Sequence, residues 1–149
     1  MKFIINVIPR TKKNSSQIIY SKGRSFVIPS KYYQQFEKDC LKQIKGGQNI
    51  DYAVNIKAVF YRADKRRVDL ANLLEALDDM LVKAKVIKDD NRDIIAGHDG
   101  SRVYYDKQEP HIEIEITKME GYKQPKQEKA NTLTRNFGKL NQFYMNNEE

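Results

Sequence analysis

Residues 70–84 constrain the fold most, because their apolar side chains repeat with the period of an α-helix. At about 100° per residue, one arc of the helix collects Leu70, Leu73, Leu74, Leu77, Leu81 and Ala84. Asn72, Glu75 and Asp79 fall on the opposite side. The segment has no Gly or Pro, and Asp69 can act as its N-cap. The sequence therefore predicts an amphipathic helix that packs on a core and exposes a polar face.

Apolar runs elsewhere in the chain predict a mixed β-sheet and one further helix. Residues 3–8 are short and apolar and end at Pro9, which is typical of a buried first strand. A helix is expected from Ser30, as N-cap, to about residue 45. Further strands are predicted at residues 17–20, 25–28, 54–61, 94–103 and 111–117, the first two joined as a hairpin at Gly23. The expected fold is α/β of the α+β kind, a single domain with a mixed sheet and two main helices packed on it.

The composition changes after residue 118. Residues 121–132 are polar, contain one Pro and show no apolar period, as is typical of a linker. Beyond them, apolar residues are spaced by four, three and four at Leu133, Phe137, Leu140 and Tyr144, which fits either a short amphipathic helix or a frayed tail. We therefore expect one domain over residues 1–118, followed at 119–149 by a polar linker and a candidate short C-terminal helix.

Charge is distributed unevenly along the chain. The formal net charge is +7, and residues 1–48 contain ten Lys or Arg but only two acids, Glu37 and Asp39. Acidic residues are concentrated between Asp69 and Asp99. A basic arm beside an acidic pocket suits an enzyme that acts on nucleic acid, although a generic basic protein would have the same net charge.

Several function classes are disfavoured by what the sequence lacks. The single cysteine, Cys40, excludes an internal disulfide and fits a reducing cytoplasm. No apolar run reaches the length of a membrane span, and residues 3–8 are not followed by a signal-peptide cleavage site. His98 and His111 lack the spacing of a zinc pair, and no glycine-rich phosphate loop is present. We therefore expect a cytoplasmic protein with no membrane partner and no nucleotide-hydrolysis motif.

Basic and acidic clusters flank the predicted helix. Lys65–Arg66–Arg67 leads into Asp69, and Asp89–Asp90 follows the helix. Carboxylates can hold a divalent cation while Arg and Lys hold phosphates, which is the combination that a metal-dependent nuclease requires. The alternative is that Asp69 is only a cap and that the polar side of the helix is only a solvated face.

This pattern resembles that of the RusA-type Holliday junction resolvases, endonucleases of phages and prophages that cut four-way DNA junctions. The central motif of that family is a basic run, then Asp-Leu-Asp-Asn-Leu, a helix carrying a further Asp, and Asp-Asp after the helix. Without a gap in spacing, the corresponding residues are Lys65–Arg66–Arg67, Asp69–Leu70–Ala71–Asn72–Leu73, Asp79 and Asp89–Asp90. The N-terminal residues that also fit are Pro9, Lys12–Lys13–Asn14 and Gly23–Arg24. The resemblance covers residues 1 to about 118.

The resemblance implies a metal-dependent endonuclease that resolves branched DNA in recombination and repair. It implies Mg²⁺ as cofactor, with Mn²⁺ as an alternative, and a homodimer that makes paired cuts in a two-fold junction. The expected catalytic residues are Asp69, Asp90, Asp79 and Glu75, and the three aspartates would bind a metal lying between Asp69 and Asp90. The expected DNA-binding residues are Lys12, Lys13, Asn14, Lys22, Arg24, Arg66 and Arg67. Asn72 and Asp89 are expected to support the site.

Two positions depart from the family motif. Ala71 stands where the family has its second catalytic Asp, and Glu75 stands where a Lys is common. One carboxylate is thus lost near Asp69, and another is gained about one turn further on. We favour a metal site rebuilt with Glu75 and Asp79. The alternatives are a weak or inactive protein of the same fold that binds branched DNA, a chain inactivated on purpose at position 71, and a nuclease for flaps or other branched structures.

Overall fold

The structure, a computed structural model, describes residues 1–13 and 16–123 of the chain. The strands in this part are β1 Lys2–Ile5, β2 Ser16–Ser21, β3 Arg24–Pro29, β4 Val54–Arg62, β5 Ile95–Gly97, β6 Arg102–Tyr105 and β7 His111–Lys118. The helices are α1 Lys31–Gln43 and α2 Leu70–Lys83. The α+β fold expected from the sequence, with two main helices, is therefore confirmed.

Two of the sequence-based expectations concern segments outside the described residues. One is the DNA contact expected of Asn14, and the other is the candidate C-terminal helix that contains residues 133–144. The division into a domain over residues 1–118 and a separate tail also stays a prediction.

The main sheet has five strands and is mixed, as predicted. Its central strand, β4, pairs with β7 in antiparallel fashion and with β5 and β6 in parallel fashion, and β1 pairs with the other side of β7. Alternate residues of β4, such as Ile56 and Phe60, are buried together with Ile112 and Ile114 of β7. Both helices contribute side chains to the same buried cluster, so they cover this face of the sheet. Strands β2 and β3 form a separate two-stranded hairpin.

Helix α2 has the two faces that its sequence predicts. The fully buried residues of α2 are Leu73, Ala76, Leu77, Met80 and Leu81. Glu75 is exposed, and Asn72 and Asp79 are half-buried on the other side. The packing of one apolar stripe against β4 and β7 therefore fixes the direction in which the polar stripe points.

Helix α1 also begins where the sequence predicts. Ser30 is its N-cap, and the Ser30 hydroxyl accepts a hydrogen bond from the backbone N–H of Tyr33 at 3.2 Å. Cys40 is fully buried on the inner face, and burial raises the pKa of the Cys40 thiol to about 12. Cys40 is therefore a packing residue of the core. An ion pair of 2.7 Å between Lys83 and Glu37 links α2 to α1.

Two strands differ from the prediction. Strand β1 lies at an edge of the sheet, where Ile5 is buried but Ile4 is 54% exposed, so the prediction of a buried first strand is wrong. A short apolar run does not distinguish an edge strand from a central one. The strand predicted at residues 94–103, with interruptions at Gly97 and Gly100, is divided into β5 and β6. They are separated by a turn in which Gly100 has φ +86°, a conformation that favours glycine.

Candidate active site on helix α2

Asp69 stands at the start of α2 but does not cap it with its side chain. Its backbone carbonyl accepts hydrogen bonds from the N–H groups of Asn72 and Leu73, which places Asp69 at the N-cap position. The Asp69 carboxylate instead accepts a hydrogen bond from the Asn72 side-chain amide at 3.3 Å. It is exposed and has no basic partner within the described part of the chain. The side-chain cap predicted from the sequence is therefore wrong, and the carboxylate has coordination capacity left.

The basic loop ahead of Asp69 is held by Arg62, the last residue of β4. The Arg62 guanidinium donates to the backbone carbonyl of Arg66 at 2.7 Å and forms an ion pair of 3.3 Å with Asp64. Asp64 in turn accepts from the backbone N–H of Arg66 at 2.9 Å. These bonds fix the backbone and leave the side chains of Arg66 and Arg67 exposed just before Asp69. Sequence analysis missed Arg62, because its role depends on how the loop folds back.

Asp79 contacts the N-terminal arm. Lys12 Nζ lies 3.3 Å from Asp79 Oδ2, and both side chains are partly exposed. Such a surface ion pair contributes about 1 kcal/mol or less. Breaking the contact between Lys12 and Asp79 therefore costs little free energy. Lys13, the next residue, is exposed beside this contact.

Glu75 lies between Asn72 and Asp79 on the polar face of α2. Its side chain is exposed and makes no ion pair among the described residues. The structure thus leaves both expectations for Glu75 open, a metal-binding role and a solvated surface position.

A partly buried acid–histidine pair joins α2 to β4 and was not predicted. His98 Nδ1 lies 2.9 Å from the backbone carbonyl of Ile56, and His98 Nε2 lies 2.9 Å from Asp78 Oδ2. The other carboxylate oxygen of Asp78 is buried and has no hydrogen-bond partner in the described part of the chain. The carbonyl of Ile56 can only accept, so Nδ1 of His98 carries a proton. A second proton lies between Nε2 of His98 and Oδ2 of Asp78, bound to one or the other of these atoms.

The pKa values of Asp78 and His98 depend on each other and on nearby acids. Burial raises the pKa of Asp78, the hydrogen bond from His98 opposes that rise, and the negative charges of Asp90 and Asp79 add to it. The hydrogen bond with Asp78 raises the pKa of His98. The Asp78–His98 pair therefore lies within the electrostatic field of two residues that the sequence assigns to the metal site.

Asp89 and Asp90 have different roles in the turn after α2. Asp89 accepts hydrogen bonds from the backbone N–H of Asp90 and from the side-chain amide of Asn91, at 2.9 and 2.8 Å. The hydrogen bond from Asn91 is the main cause that lowers the pKa of Asp89. Asp90 is exposed and makes no ion pair with a basic residue in residues 1–13 and 16–123. Asp89 thus shapes the turn, and Asp90 presents a carboxylate without a basic partner in the described segments.

One copy of the chain does not gather the predicted metal ligands. Asp69 and Asp79 are ten residues apart on α2, which separates their backbones by about 15 Å along the axis. Asp69 follows the carboxyl end of β4. Asp90 precedes Ile94, and the Ile94 carbonyl accepts a hydrogen bond from the backbone N–H of Val54, at the amino end of β4. Among the described residues, no group of three or more His, Cys, Asp or Glu is placed to hold a metal ion. The chemistry of the donors nevertheless suits Mg²⁺ or Mn²⁺, because they are all oxygen atoms.

The β2–β3 hairpin carries the other basic residues expected to bind DNA. Lys22 and Gly23 form its turn with φ of 50° and 73°, and Arg24 follows. Both basic side chains are exposed. The Arg10 guanidinium lies 5.4 Å from the ring centre of Tyr32, within the range of a cation–π contact.

Comparison with known protein families assigns the chain to one of them. The model of the family described as endodeoxyribonuclease RusA matches residues 6–117 of the chain. That range includes the basic loop, all of α2 and the Asp89–Asp90 turn. The chain therefore belongs to the RusA endodeoxyribonuclease family. No curated protein matches it. In the part of the chain that the structure describes, no helix is long and apolar enough to cross a membrane.

Proposed function

We propose that this protein is a metal-dependent endonuclease that resolves four-way DNA junctions by paired phosphodiester hydrolysis in recombination and repair. Membership of the RusA family supports the nuclease activity. The observation that carries the proposal is that Asp69 and Asp90 expose carboxylates without a basic partner in the described residues, although the chain has a net charge of +7. Exposed acids that stay unpaired in a basic protein are suited to binding a cation.

Asp69 and Asp90 are the residues that we expect to hold the metal, either Mg²⁺ or Mn²⁺. In phosphate chemistry Mg²⁺ is commonly bound through one or two carboxylates, with waters and substrate phosphates completing the octahedron. Such an ion supplies charge neutralisation at the scissile phosphate and lowers the pKa of a bound water. Asn72 fixes the orientation of Asp69 through the 3.3 Å hydrogen bond, and Asp89 fixes the turn that presents Asp90.

A homodimer would reconcile the separated acids with a shared metal site. In one copy Asp69 follows the carboxyl end of β4 along the chain, whereas Asp90 leads to Ile94, which is hydrogen-bonded to the amino end of β4. Two-fold pairing could place Asp69 of one copy next to Asp90 of the other, which would form two equivalent sites. A four-way junction is itself two-fold, so two sites related in this way could make the paired symmetric cuts that resolution requires.

The basic residues divide into two groups according to where they would contact DNA. Arg66 and Arg67 are exposed shortly before Asp69, separated from it by Val68, and would hold the scissile phosphate or its neighbour. The arm and hairpin would bind flanking phosphates through Lys12, Lys13, Lys22 and Arg24. In this scheme Lys12 exchanges Asp79 for a phosphate, which a weak surface ion pair permits.

The second candidate function is a protein of the same fold that binds branched DNA without cutting it. Ala71 favours this alternative, because it removes one carboxylate of the family motif at the first turn of α2.

Substrate choice tests the proposed function against a flap nuclease. A four-way junction, a flap and a linear duplex of shared sequence would be incubated with the protein in Mg²⁺, and the strand breaks mapped. We expect cuts in the junction, with little or no cutting of the duplex. Faster cutting of the flap would assign the activity to a different branched substrate.

Binding should weaken steeply with salt, because phosphate contacts release counterions from DNA. Reversing the charge of both arm lysines, as Lys12→Glu with Lys13→Glu, should weaken binding to every DNA shape. The slope of the logarithm of the binding constant against the logarithm of the salt concentration should become shallower by about two, one for each lost phosphate contact. The measurement is the Kd at several salt concentrations. A matched control is Lys85→Glu with Lys107→Glu, two exposed lysines outside the arm, the hairpin and the Asp89–Asp90 turn. An equal loss in both variants would show a general charge effect and count against the arm.

Glu75→Gln should raise the metal concentration needed for half-maximal cleavage and lower the maximal rate, if Glu75 substitutes for the carboxylate missing at Ala71. Glu75 shares the polar face with Asn72 and Asp79, and its side chain is free to turn toward the first turn of α2. Glu75→Lys should not rescue activity unless Ala71→Asp is made as well. An unmoved metal titration curve in Glu75→Gln would assign Glu75 to the solvated surface.

A further inference from the structure

The β2–β3 hairpin exposes an apolar face that the DNA-binding scheme above does not use. Strand alternation and the pairing of Ile18 with Val27 put Ile18, Tyr20 and Val27 on one side of the hairpin. These three side chains are 60%, 81% and 72% exposed. On the opposite side, Ile19 and Phe26 are less exposed, at 39% and 47%. We call the side formed by Ile18, Tyr20 and Val27 the outer face.

An exposed apolar face on such an element indicates a binding partner. A two-stranded hairpin is only marginally stable by itself, and three large apolar side chains in contact with water add nothing to its stability. Contiguous apolar surface on an otherwise polar chain commonly marks an interaction site. Here mean hydropathy is low, at −0.75, so a cluster of three such residues stands out from its surroundings.

The positive charge around the outer face indicates which kind of partner can bind there. Residues 10–31, which contain the hairpin, carry six Lys or Arg and no Asp or Glu. A second copy that packed through the same face would bring two such segments together, and their like charges would repel. Nucleic acid offers the complementary combination, namely phosphates for the basic side chains and flat base surfaces for an aromatic ring.

We propose that the outer face of the hairpin binds bases that are unstacked at the branch point of DNA, with Tyr20 stacked on one of them. Ile18 and Val27 pack beside that base, and Lys22, in the hairpin turn, binds a neighbouring phosphate. The proposal rests on the proposed function, since it takes branched DNA as the ligand. In a continuous duplex the base surfaces are covered by their neighbours. A face that requires an uncovered base therefore discriminates branched DNA from linear DNA.

The test compares Tyr20→Ser with Tyr20→Phe in the full chain. Tyr20 is exposed, so neither change disturbs the core. The control is Tyr52→Ser, a tyrosine that is 45% exposed at a site outside the hairpin. Two quantities are measured: the Kd for a four-way junction and for a linear duplex, and the fluorescence of 2-aminopurine placed either at the branch point or within an arm.

We expect Tyr20→Ser to weaken junction binding by about five-fold or more, the equivalent of one lost stacking contact. Duplex binding should be unchanged, and the fluorescence response at the branch point should be lost. Tyr20→Phe keeps the ring and should behave like the wild type, as should Tyr52→Ser. The fluorescence of 2-aminopurine within a duplex arm of the DNA junction should not change on binding of any variant.

Two results would overturn the inference while leaving the proposed function intact. One is wild-type junction affinity and wild-type fluorescence in Tyr20→Ser. The other is a change in oligomeric state in Tyr20→Ser, measured by sedimentation, which would make the outer face a contact between copies. Failure of the wild-type protein to prefer the junction over the duplex would instead remove the proposed function, and the inference with it.

Discussion

Asp69→Asn and Asp90→Asn should each lower the rate of junction cleavage by about 100-fold or more, because each removes a charge that holds the metal ion. Both carboxylates are exposed and lack a basic partner in the described residues, so neither change should unfold the protein. Junction binding should stay intact or become tighter, since repulsion between the acid and the phosphates is reduced. The measurement is single-turnover cleavage together with the Kd for the same junction.

Asp51→Asn is the matched control for these two variants. Asp51 is also an exposed aspartate, but it precedes β4 and lies outside α2 and the Asp89–Asp90 turn. Its substitution should leave cleavage unchanged. If Asp69→Asn or Asp90→Asn cuts at the wild-type rate, that residue does not hold a required metal. If Asp69→Asn and Asp90→Asn both bind the junction poorly, the two carboxylates have a structural role that their exposure to solvent does not indicate.

His98→Leu should lower the free energy of unfolding by about 2–3 kcal/mol, since it leaves the buried carboxylate of Asp78 without its partner. The estimate lies below that for a fully buried pair because the side chains of His98 and Asp78 keep 25% and 13% exposure. Asp78→Leu combined with His98→Leu should recover part of the loss, because no unpaired charge stays buried. Urea unfolding of the single and double variants measures the difference.

The pH dependence of stability offers a separate check on His98. The hydrogen bond with Asp78 raises the pKa of His98 in the folded state above its ordinary value of 6.5. The folded state then binds the proton more tightly, so this contribution is complete below about pH 6.5 and is lost as the pH rises through the folded-state pKa. The wild type should show this loss and His98→Leu should not. An equal loss of stability with rising pH in the wild type and in His98→Leu would show that a group other than His98 titrates.

The sequence predicts most of the scaffold because its signals are local. The apolar period of α2, the N-cap at Ser30 and the glycine turn at Gly23 each depend on residues near one another in the chain, and the structure confirms all three. The edge position of β1 was not predictable in this way, since it depends on which strands pair.

The candidate site was predicted less completely, for a physical reason. The Asp78–His98 contact joins residues twenty positions apart, and Lys12–Asp79 joins residues sixty-seven apart, so neither has a local signal. The separation of Asp69 from Asp90 depends on the direction of α2 against β4. The sequence identified the acids and bases as one motif, but it could not show whether one copy or two would bring the metal ligands together.

The most direct test of the central claim is to incubate a labelled four-way junction with the wild-type protein in Mg²⁺, in Mn²⁺ and in EDTA. The proposed function predicts two nicks at symmetric positions on opposing strands, made only when a divalent metal is present. Junction binding without any cut in either Mg²⁺ or Mn²⁺ would contradict it, and would instead assign this chain to the non-cutting, branched-DNA-binding alternative that Ala71 favours.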